Sequence, residues 1–251
     1  MIEHFLDKIH HNDCLDFMPQ LPDDSIDSVI TDPPYNLAYQ YHEYKDNLDW
    51  QEYFNWQLKI VQQAARLLKS SGSLLWLNYP EVAARMWALI SEQVPELQPV
   101  KWITWIYHQH TGGKPLRRAT RAWLWFSKGE PYIGEDALGG IYRNPTDKRI
   151  REMILLGHQP VDYDWWFYEQ VKNVSMEKTQ HPCQLPLAMV LRLVEMVTPK
   201  GGIVLDPFCG SGTTPVAAKK SACRWIGIES DAAYVELATK RLKVVPEDQL
   251  L

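Results

Sequence analysis

Residues 203–214 read IVLDPFCGSGTT, and residues 224–229 read RWIGIE. A short hydrophobic strand runs into a turn that holds Gly210 and Gly212, and a helix opens at Thr213. Glycines let the backbone approach a ligand closely. The first turn of the helix offers unpaired N–H groups to a polar or anionic moiety. The next strand ends in Glu229, and a carboxylate there can accept hydrogen bonds from both hydroxyls of a ribose. These features suit a nucleoside cofactor. A dinucleotide fingerprint would need a third glycine where Pro215 stands, and a P-loop would need Gly-Lys-Ser/Thr, which the stretch lacks. Strand, glycine-rich turn, helix and strand in this order predict a doubly wound, mostly parallel α/β sheet.

The rest of the chain extends the same pattern. Strands are expected over 6–12, 26–31 and 73–78, and a helix over 187–197. A helix should begin after Asp49, where Asp49 and Glu52 have capping-box spacing, and end at Ser70, Ser71 and Gly72. Phe54, Leu58, Val61, Ala65 and Leu68 recur on its apolar face. Pro80 suits the first turn of a further helix running to about Gln93. Two strands near 101–107 and 121–127 flank a linker with Gly112, Gly113 and Pro115, and are expected as an antiparallel pair at a sheet edge. Their tryptophans, Trp102, Trp105, Trp123 and Trp125, are read as packing residues. Ser230 is a candidate cap for the last helix. Residues 38–47 read as a loop beside the site. Residues 129–178 are irregular and form a candidate recognition insertion within a single domain spanning 1–251.

The chain has 251 residues, 45% hydrophobic, enough for one large domain with a modest insertion. No run approaches the length of a transmembrane helix, and the start lacks the basic-then-apolar pattern of a signal peptide. Cys14, Cys183, Cys209 and Cys223 form no C-x-x-C pair, so free thiols in a reducing, cytoplasmic setting are expected, with no metal site. Net charge is −5, yet the stretch Lys101–Lys128 holds six lysines and arginines and no acid. Such a patch can neutralise phosphates while the rest of the surface stays acidic. Lys114, Arg117, Arg118 and Arg121 are its candidate contacts.

Residues 31–36, TDPPYN, directly follow a predicted strand. The prolines fix the backbone and block a helix start. They leave a carboxylate, Asp32, beside backbone carbonyls that lack local partners. A planar amino group needs such paired acceptors. Tyr35 supplies a ring on which a base turned out of its duplex could stack.

Together these motifs resemble the amino-group DNA methyltransferases, in the circularly permuted beta arrangement in which D-P-P-Y comes first and F-x-G-x-G last. The likeness covers residues 6–128 and 179–243. LPDDSIDSVITDPPYNL resembles the family's opening segment and VLDPFCGSGTTPVAAKK its closing one. It implies the fold of S-adenosylmethionine-dependent methyltransferases and direct transfer of a methyl group to N6 of adenine in double-stranded DNA. Asp32 and the carbonyl of Pro33 would accept from the target amine, with Pro34 completing the turn and Tyr35 stacking. Asp206, Phe208, Gly210, Gly212, Thr213 and Thr214 would form the cofactor pocket, Glu229 would hold its ribose, and Asp13 would lie near its adenine. The resemblance also admits a homodimer and a cognate restriction endonuclease.

One departure stands out. Where the family commonly has H-P-T-Q-K-P, this chain has HPCQLP over 181–186, losing a lysine at Leu185. Pro182-Cys183-Gln184 superficially matches the cysteine setting of cytosine-C5 enzymes, but an exocyclic amine needs no covalent nucleophile, so Cys183 is read as inert. Rival readings are cytosine-N4 methylation, methylation of RNA or of a protein amide, and a DNA-binding module that has lost catalysis. Aspartate rather than serine before P-P-Y favours adenine.

Overall fold

The computed structural model describes residues 2–37, 46–108, 117–134, 139–140, 142, 144–158, 160, 162–172, 175 and 177–245. Most of the expected loop at 38–47, the Gly112, Gly113 and Pro115 linker, and Lys114 lie outside them.

Eight strands form one sheet in the order β1-β8-β7-β2-β3-β5-β4-β6. These are β1 (Lys8–His11), β2 (Ile26–Thr31), β3 (Leu68–Asn78), β4 (Gln98–Ile106), β5 (Thr120–Ser127), β6 (Trp165–Phe167), β7 (Ile203–Asp206) and β8 (Arg224–Glu229). All neighbours pair in parallel except that β5 opposes β3 and β4. The alternation of β-strand side chains divides the core in two. Val29, Leu74, Trp76, Leu124 and Phe126 point to one face, under α1 (Cys14–Phe17), α2 (Trp50–Leu67) and α3 (Pro80–Gln93). Ile30, Leu75, Leu77, Trp123 and Trp125 point to the other, under α5 (Leu187–Val197), α6 (Thr213–Lys220) and α7 (Ala232–Lys243). Both faces are covered, which explains why β2 is buried along its whole length.

Several boundaries differ from expectation. Helix α2 stops at Leu67, and Leu68 is already extended, pairing with Ile26; Ser70, Ser71 and Gly72 therefore belong to β3. A Cβ at Gly72 would come 2.9 Å from the Leu68 side chain, so glycine there serves a bend in the strand. Asp49 caps α2 through the Gln51 amide, without a reciprocal box to Glu52. The last helix is capped by Asp231, which accepts from Ala233, one residue past Ser230. β1 is shorter than 6–12. The β4–β5 pair is not the sheet edge, because β6 adds a parallel strand beside β4. The segment 129–178 thus supplies a strand to the main sheet and a helix, α4 (Lys148–Leu155), which Asp147 caps and which buries none of its residues. The tryptophans pack as expected: Trp105, Trp123 and Trp125 are buried, and Trp102 lies against the α3 layer near Trp87. Among the described residues, no helix is long and apolar enough to cross a membrane.

Candidate active site

The strands β8, β7 and β2 are neighbours in the sheet, and their carboxyl ends open onto one cavity of about 310 Å³. This is where an open parallel sheet places its ligand. Residues 174 positions apart in sequence, Asp32 and Asp206, meet there because β2 pairs with β7.

The wall beyond β7 is the glycine-rich turn. Gly210 has φ +50°, and its Cα faces the ring of His181, whose Nε2 would lie 3.0 Å from an added Cβ. The Gly210 amide donates to Oε2 of Glu229 at 2.7 Å, and the Asp231 amide donates to Oε1 at 2.9 Å. Both Glu229 oxygens are thereby oriented, and each keeps acceptor capacity toward the cavity. Oδ1 of Asp206 accepts from the Phe208 amide at 3.1 Å. Burial pushes Asp206 up to about 7, against the hydroxyl of Thr214 and that amide. Burial also raises Glu229. Asp13 caps α1 through the Leu15 amide at 2.7 Å. Asp13, Asp206, Phe208, Gly210, Thr213, Thr214 and Glu229 all line the cavity.

Gly212 does not line it. Its role is architectural: φ is +77°, it caps α6, and an added Cβ would meet the Cβ of Ala238 on α7 at 2.9 Å.

The opposite wall is the D-P-P-Y turn after β2. Asp32, Pro33, Pro34 and Tyr35 all line the cavity. The Tyr35 hydroxyl donates to Oδ1 of Asp32 at 2.5 Å, a contact that sequence reading did not foresee. The Pro34 carbonyl accepts from the Tyr53 hydroxyl, which in turn accepts from Asn78. Among the described residues none donates to the carbonyl of Pro33. The Tyr35 ring meets Tyr79 edge-on at 5.0 Å. Burial pushes the Asp32 carboxyl up to about 6, against the opposing pull of the Arg121 charge and the Tyr35 hydroxyl.

Arg121 corrects an expectation. It does not join a phosphate-binding surface but turns into the cavity, with its guanidinium carbon 5.0 Å from the Tyr35 ring centre and 5.1 Å from that of Trp105. The cause is strand phase: Arg121 shares a face of β5 with the buried Trp123 and Trp125. Because β5 runs antiparallel to β3, its first residues stand at the carboxyl end of the parallel strands. Arg117 and Arg118 remain outside; Arg118 pairs with Glu81 at 2.8 Å and lies over Tyr79 at the rim.

Sequence reasoning also missed Tyr79, His181 and Asp46, which line the cavity. Tyr79 was detectable in principle, since it directly follows a parallel strand. Asp46 accepts from the amides of Asn36 and Leu37 and so fixes the chain after the D-P-P-Y turn. His181 packs on Tyr234 and is lowered to about 4 by burial, so it is neutral at physiological pH. Cys183 and Leu185, the two departures in HPCQLP, both line the cavity.

A permuted doubly wound sheet, a glycine-rich turn with an oriented carboxylate, and a facing D-P-P-Y turn define a nucleoside-cofactor methyltransferase acting on an amino group. A family model described as DNA methylase matches residues 26–240, and the chain belongs to that family, which acts on N6 of adenine or N4 of cytosine and depends on S-adenosylmethionine. It is 30% identical over 258 residues to the type II methyltransferase M.BglII of Bacillus subtilis, covering 97% of this chain and 71% of that one. It is 29% identical over 250 residues to the DNA adenine methyltransferase YhdJ of Escherichia coli, covering 94% and 81%. Among solved structures, the cytosine-N4-specific PvuII DNA methyltransferase superposes with TM-score 0.71 at 20% identity, covering 96% and 89%. A DNA modification methylase of Thermus thermophilus, complexed with S-adenosyl-L-methionine, does so with TM-score 0.67 at 22% identity, covering 95% and 94%.

The cavity suits that cofactor on chemical grounds. Asp13, Asp32, Asp206 and Glu229 make its walls acidic, which favours a sulfonium cation. Glu229 presents oriented acceptors for hydroxyls, and Phe208, set edge-on to Trp56, supplies an apolar wall.

Proposed function

We propose that this protein methylates N6 of adenine in double-stranded DNA, on a base turned out of the helix into the cavity. The observation that carries the reading is Asp32, an aspartate aimed by the Tyr35 hydroxyl and facing the acidic cofactor wall. Glu229 would hold the ribose, and Asp206 with Thr213 and Thr214 would lie at the methionine end. When bound, S-adenosylmethionine supplies a sulfonium-activated methyl carbon for the amine to displace.

The protein's own part is orientation and charge. An adenine amine is weakly nucleophilic because its lone pair is delocalised into the ring. Asp32 and the Pro33 carbonyl accept its two hydrogens, hold it in line and favour pyramidalisation. Positive charge develops on the nitrogen as the bond forms, and the Asp32 carboxylate stabilises it. Holding both partners in one cavity supplies much of the remaining rate. Tyr35 and Tyr79 provide ring surfaces against the base. Lys114, Arg117 and Arg118 would contact phosphates, and residues 129–178 would contribute to sequence choice. A homodimer and a partner restriction endonuclease extend this reading, since relatives are named type II methyltransferases.

Cytosine-N4 methylation is the second reading, favoured by the fold likeness to a cytosine-N4-specific enzyme. Nucleoside analysis decides: DNA methylated by the purified protein is digested and separated by mass spectrometry. N6-methyladenine is expected. N4-methylcytosine alone would overturn the assignment, and methyl transfer to neither amine would overturn the activity.

A further inference from the structure

Arg121 takes no part in the chemistry just described. It has five N–H donors. The Tyr107 hydroxyl takes part of that capacity, while the Nε–H is buried without a partner. Tyr35, Trp105, Tyr79 and Tyr107 surround the guanidinium at 5.0, 5.1, 5.4 and 5.9 Å. Among the described residues it makes no ion pair within 4.0 Å, and the nearby negative charge is that of Asp32. A cation enclosed by rings and left under-bonded is costly unless something else completes its shell. Purely structural arginines resolve that cost with a direct carboxylate, as Arg66 does with Asp23 and two backbone carbonyls. Arg121 instead lines the cavity beside Asp32 and is left short of acceptors.

We propose that Arg121 and Asp32 together read one edge of the extruded base, with Asp32 accepting from the exocyclic amine and Arg121 donating to the ring nitrogen next to it. The inference rests on the amino-methylation reading. In duplex DNA, thymine offers adenine an acceptor for the amine and a donor for the adjacent ring nitrogen. Asp32 and Arg121 present the same two roles, so the pair stands in for the base's lost partner. Guanine and thymine are excluded by the same arrangement. Their carbonyl oxygen would face the Asp32 carboxylate, their ring N–H would face Arg121, and both buried charges would lose their hydrogen bonds. Adenine and cytosine share the amine-plus-ring-nitrogen edge, so the choice between them rests on the shape of the aromatic walls.

The test removes one atom from the base. Duplexes carrying the enzyme's own target, located by sequencing for modified bases, are made with 1-deazaadenine at the methylated position. This analogue keeps the amine and loses the neighbouring ring nitrogen. Duplexes with 7-deazaadenine, altered on the far edge, serve as controls. Under single turnover the wild-type protein should methylate the 1-deaza duplex about 10- to 100-fold more slowly than adenine, the worth of a hydrogen bond to a charged group. It should treat the 7-deaza duplex nearly as adenine. Arg121→Met should be slow on adenine, and its 1-deaza penalty should shrink to within about threefold, as expected when one partner of a coupled pair is already gone. Equal wild-type rates on adenine and 1-deazaadenine would overturn the proposal while leaving adenine methylation intact. A full penalty persisting in Arg121→Met would also overturn it. If that variant does not fold, the wild-type comparison decides alone. If the methylated base is cytosine, the adenine assignment fails and 3-deazacytosine replaces the probe. Absence of any amino methylation would sink the parent reading and this one with it.

Discussion

The raised carboxyl of Asp32 makes the chemical step depend on pH in a range where an ordinary aspartate would not. The residue must be ionised to accept from the amine and to stabilise the charge that develops there. Its carboxyl sits at about 6, because burial outweighs the Arg121 charge and the Tyr35 hydroxyl. The single-turnover rate at saturating cofactor should therefore be near its plateau at pH 7.5 and fall about tenfold per unit once the pH is below 6. An aspartate at its usual value of about 3.9 would leave the rate flat over the same range. Removing either lowering influence moves the break upward: Tyr35→Phe and Arg121→Met should each need a higher pH to reach their plateau. Asp32→Asn keeps size and one acceptor but cannot carry the charge. It should fold normally and show a pH-independent rate two to three decades lower, about 3 to 4 kcal/mol of transition-state stabilisation. Rapid-quench assays with enzyme in excess over DNA, from pH 5 to 8, isolate this step from cofactor binding. A wild-type rate that stays flat to pH 5, or an Asn variant within tenfold of wild type, would refute the role of the Asp32 carboxylate.

Other residues give independent checks. The Asp206 carboxyl at about 7 lies above its unfolded value, so the folded state gains from its protonation below about pH 4 and loses that gain as pH rises through 7. Asp206→Asn should accordingly stabilise the protein at pH 8, by about 4 kcal/mol at most, with the advantage vanishing toward pH 4 in denaturant melts; no gain at pH 8 would contradict the burial argument. Gly212→Ala combines a positive φ with a 2.9 Å approach to Ala238, and should cost about 2 to 4 kcal/mol, part of which Ala238→Gly restores. Binding a sulfonium beside Asp32 and Asp206 should lower both carboxyls and release up to about one proton near pH 6.5. Calorimetry in buffers of different ionisation enthalpy reads that release, and an equal release with the uncharged S-adenosylhomocysteine would exclude the electrostatic cause. Arg117→Ala or Arg118→Ala should each lower the salt slope of DNA binding by about one unit, and an unchanged slope would place those side chains off the phosphates.

Where the sequence pattern was punctuated, it could be read to the residue. Pro80 and Gln93 bound α3, and Asp206, Thr213 and Glu229 mark strand and helix ends that fall at the expected positions. These boundaries are set locally, by prolines, by glycines with positive φ and by changes of apolar period. The misses have non-local causes. β6 is three residues long and exists because Thr104, Trp105 and Ile106 offer it an edge, which no window around Trp165 reveals. The run from Leu67 to Leu77 is apolar at both ends, so helical and strand periods overlap at Leu68, and pairing with Ile26 decides. Arg121 was misplaced by counting charge without phase. Read with period two from Trp123 and Trp125, it belongs to the inner face, and charge clustering in sequence gave the opposite answer.

Chain order is irrelevant to the site for a related reason. The cofactor turn leaves β7, the ribose carboxylate ends β8 and the D-P-P-Y turn leaves β2, and these are three consecutive parallel strands. Their carboxyl ends share one rim, whichever strand the chain visits first. In this permuted order β2 comes early, so its partner β7 must arrive some 170 residues later; Ser28 and Val29 pair with Val204 and Leu205 across that gap. The two halves of the site are thus held by a long-range pairing, reinforced by Ser28 and Thr198 hydroxyls at 2.7 Å and by the Ile203 amide donating to Asp27. Neither catalytic turn contributes to that attachment. The scaffold is fixed at the amino-terminal side of the strands by Asp27, Lys69 and the Ile203 amide, and this leaves the carboxyl-terminal side free to carry carboxylates displaced upward by burial. A site that keeps Asp32 and Asp206 this close to neutrality is electrostatically costly on its own. Such a site is expected where a cationic cofactor and a reaction that builds positive charge on nitrogen both relieve that cost.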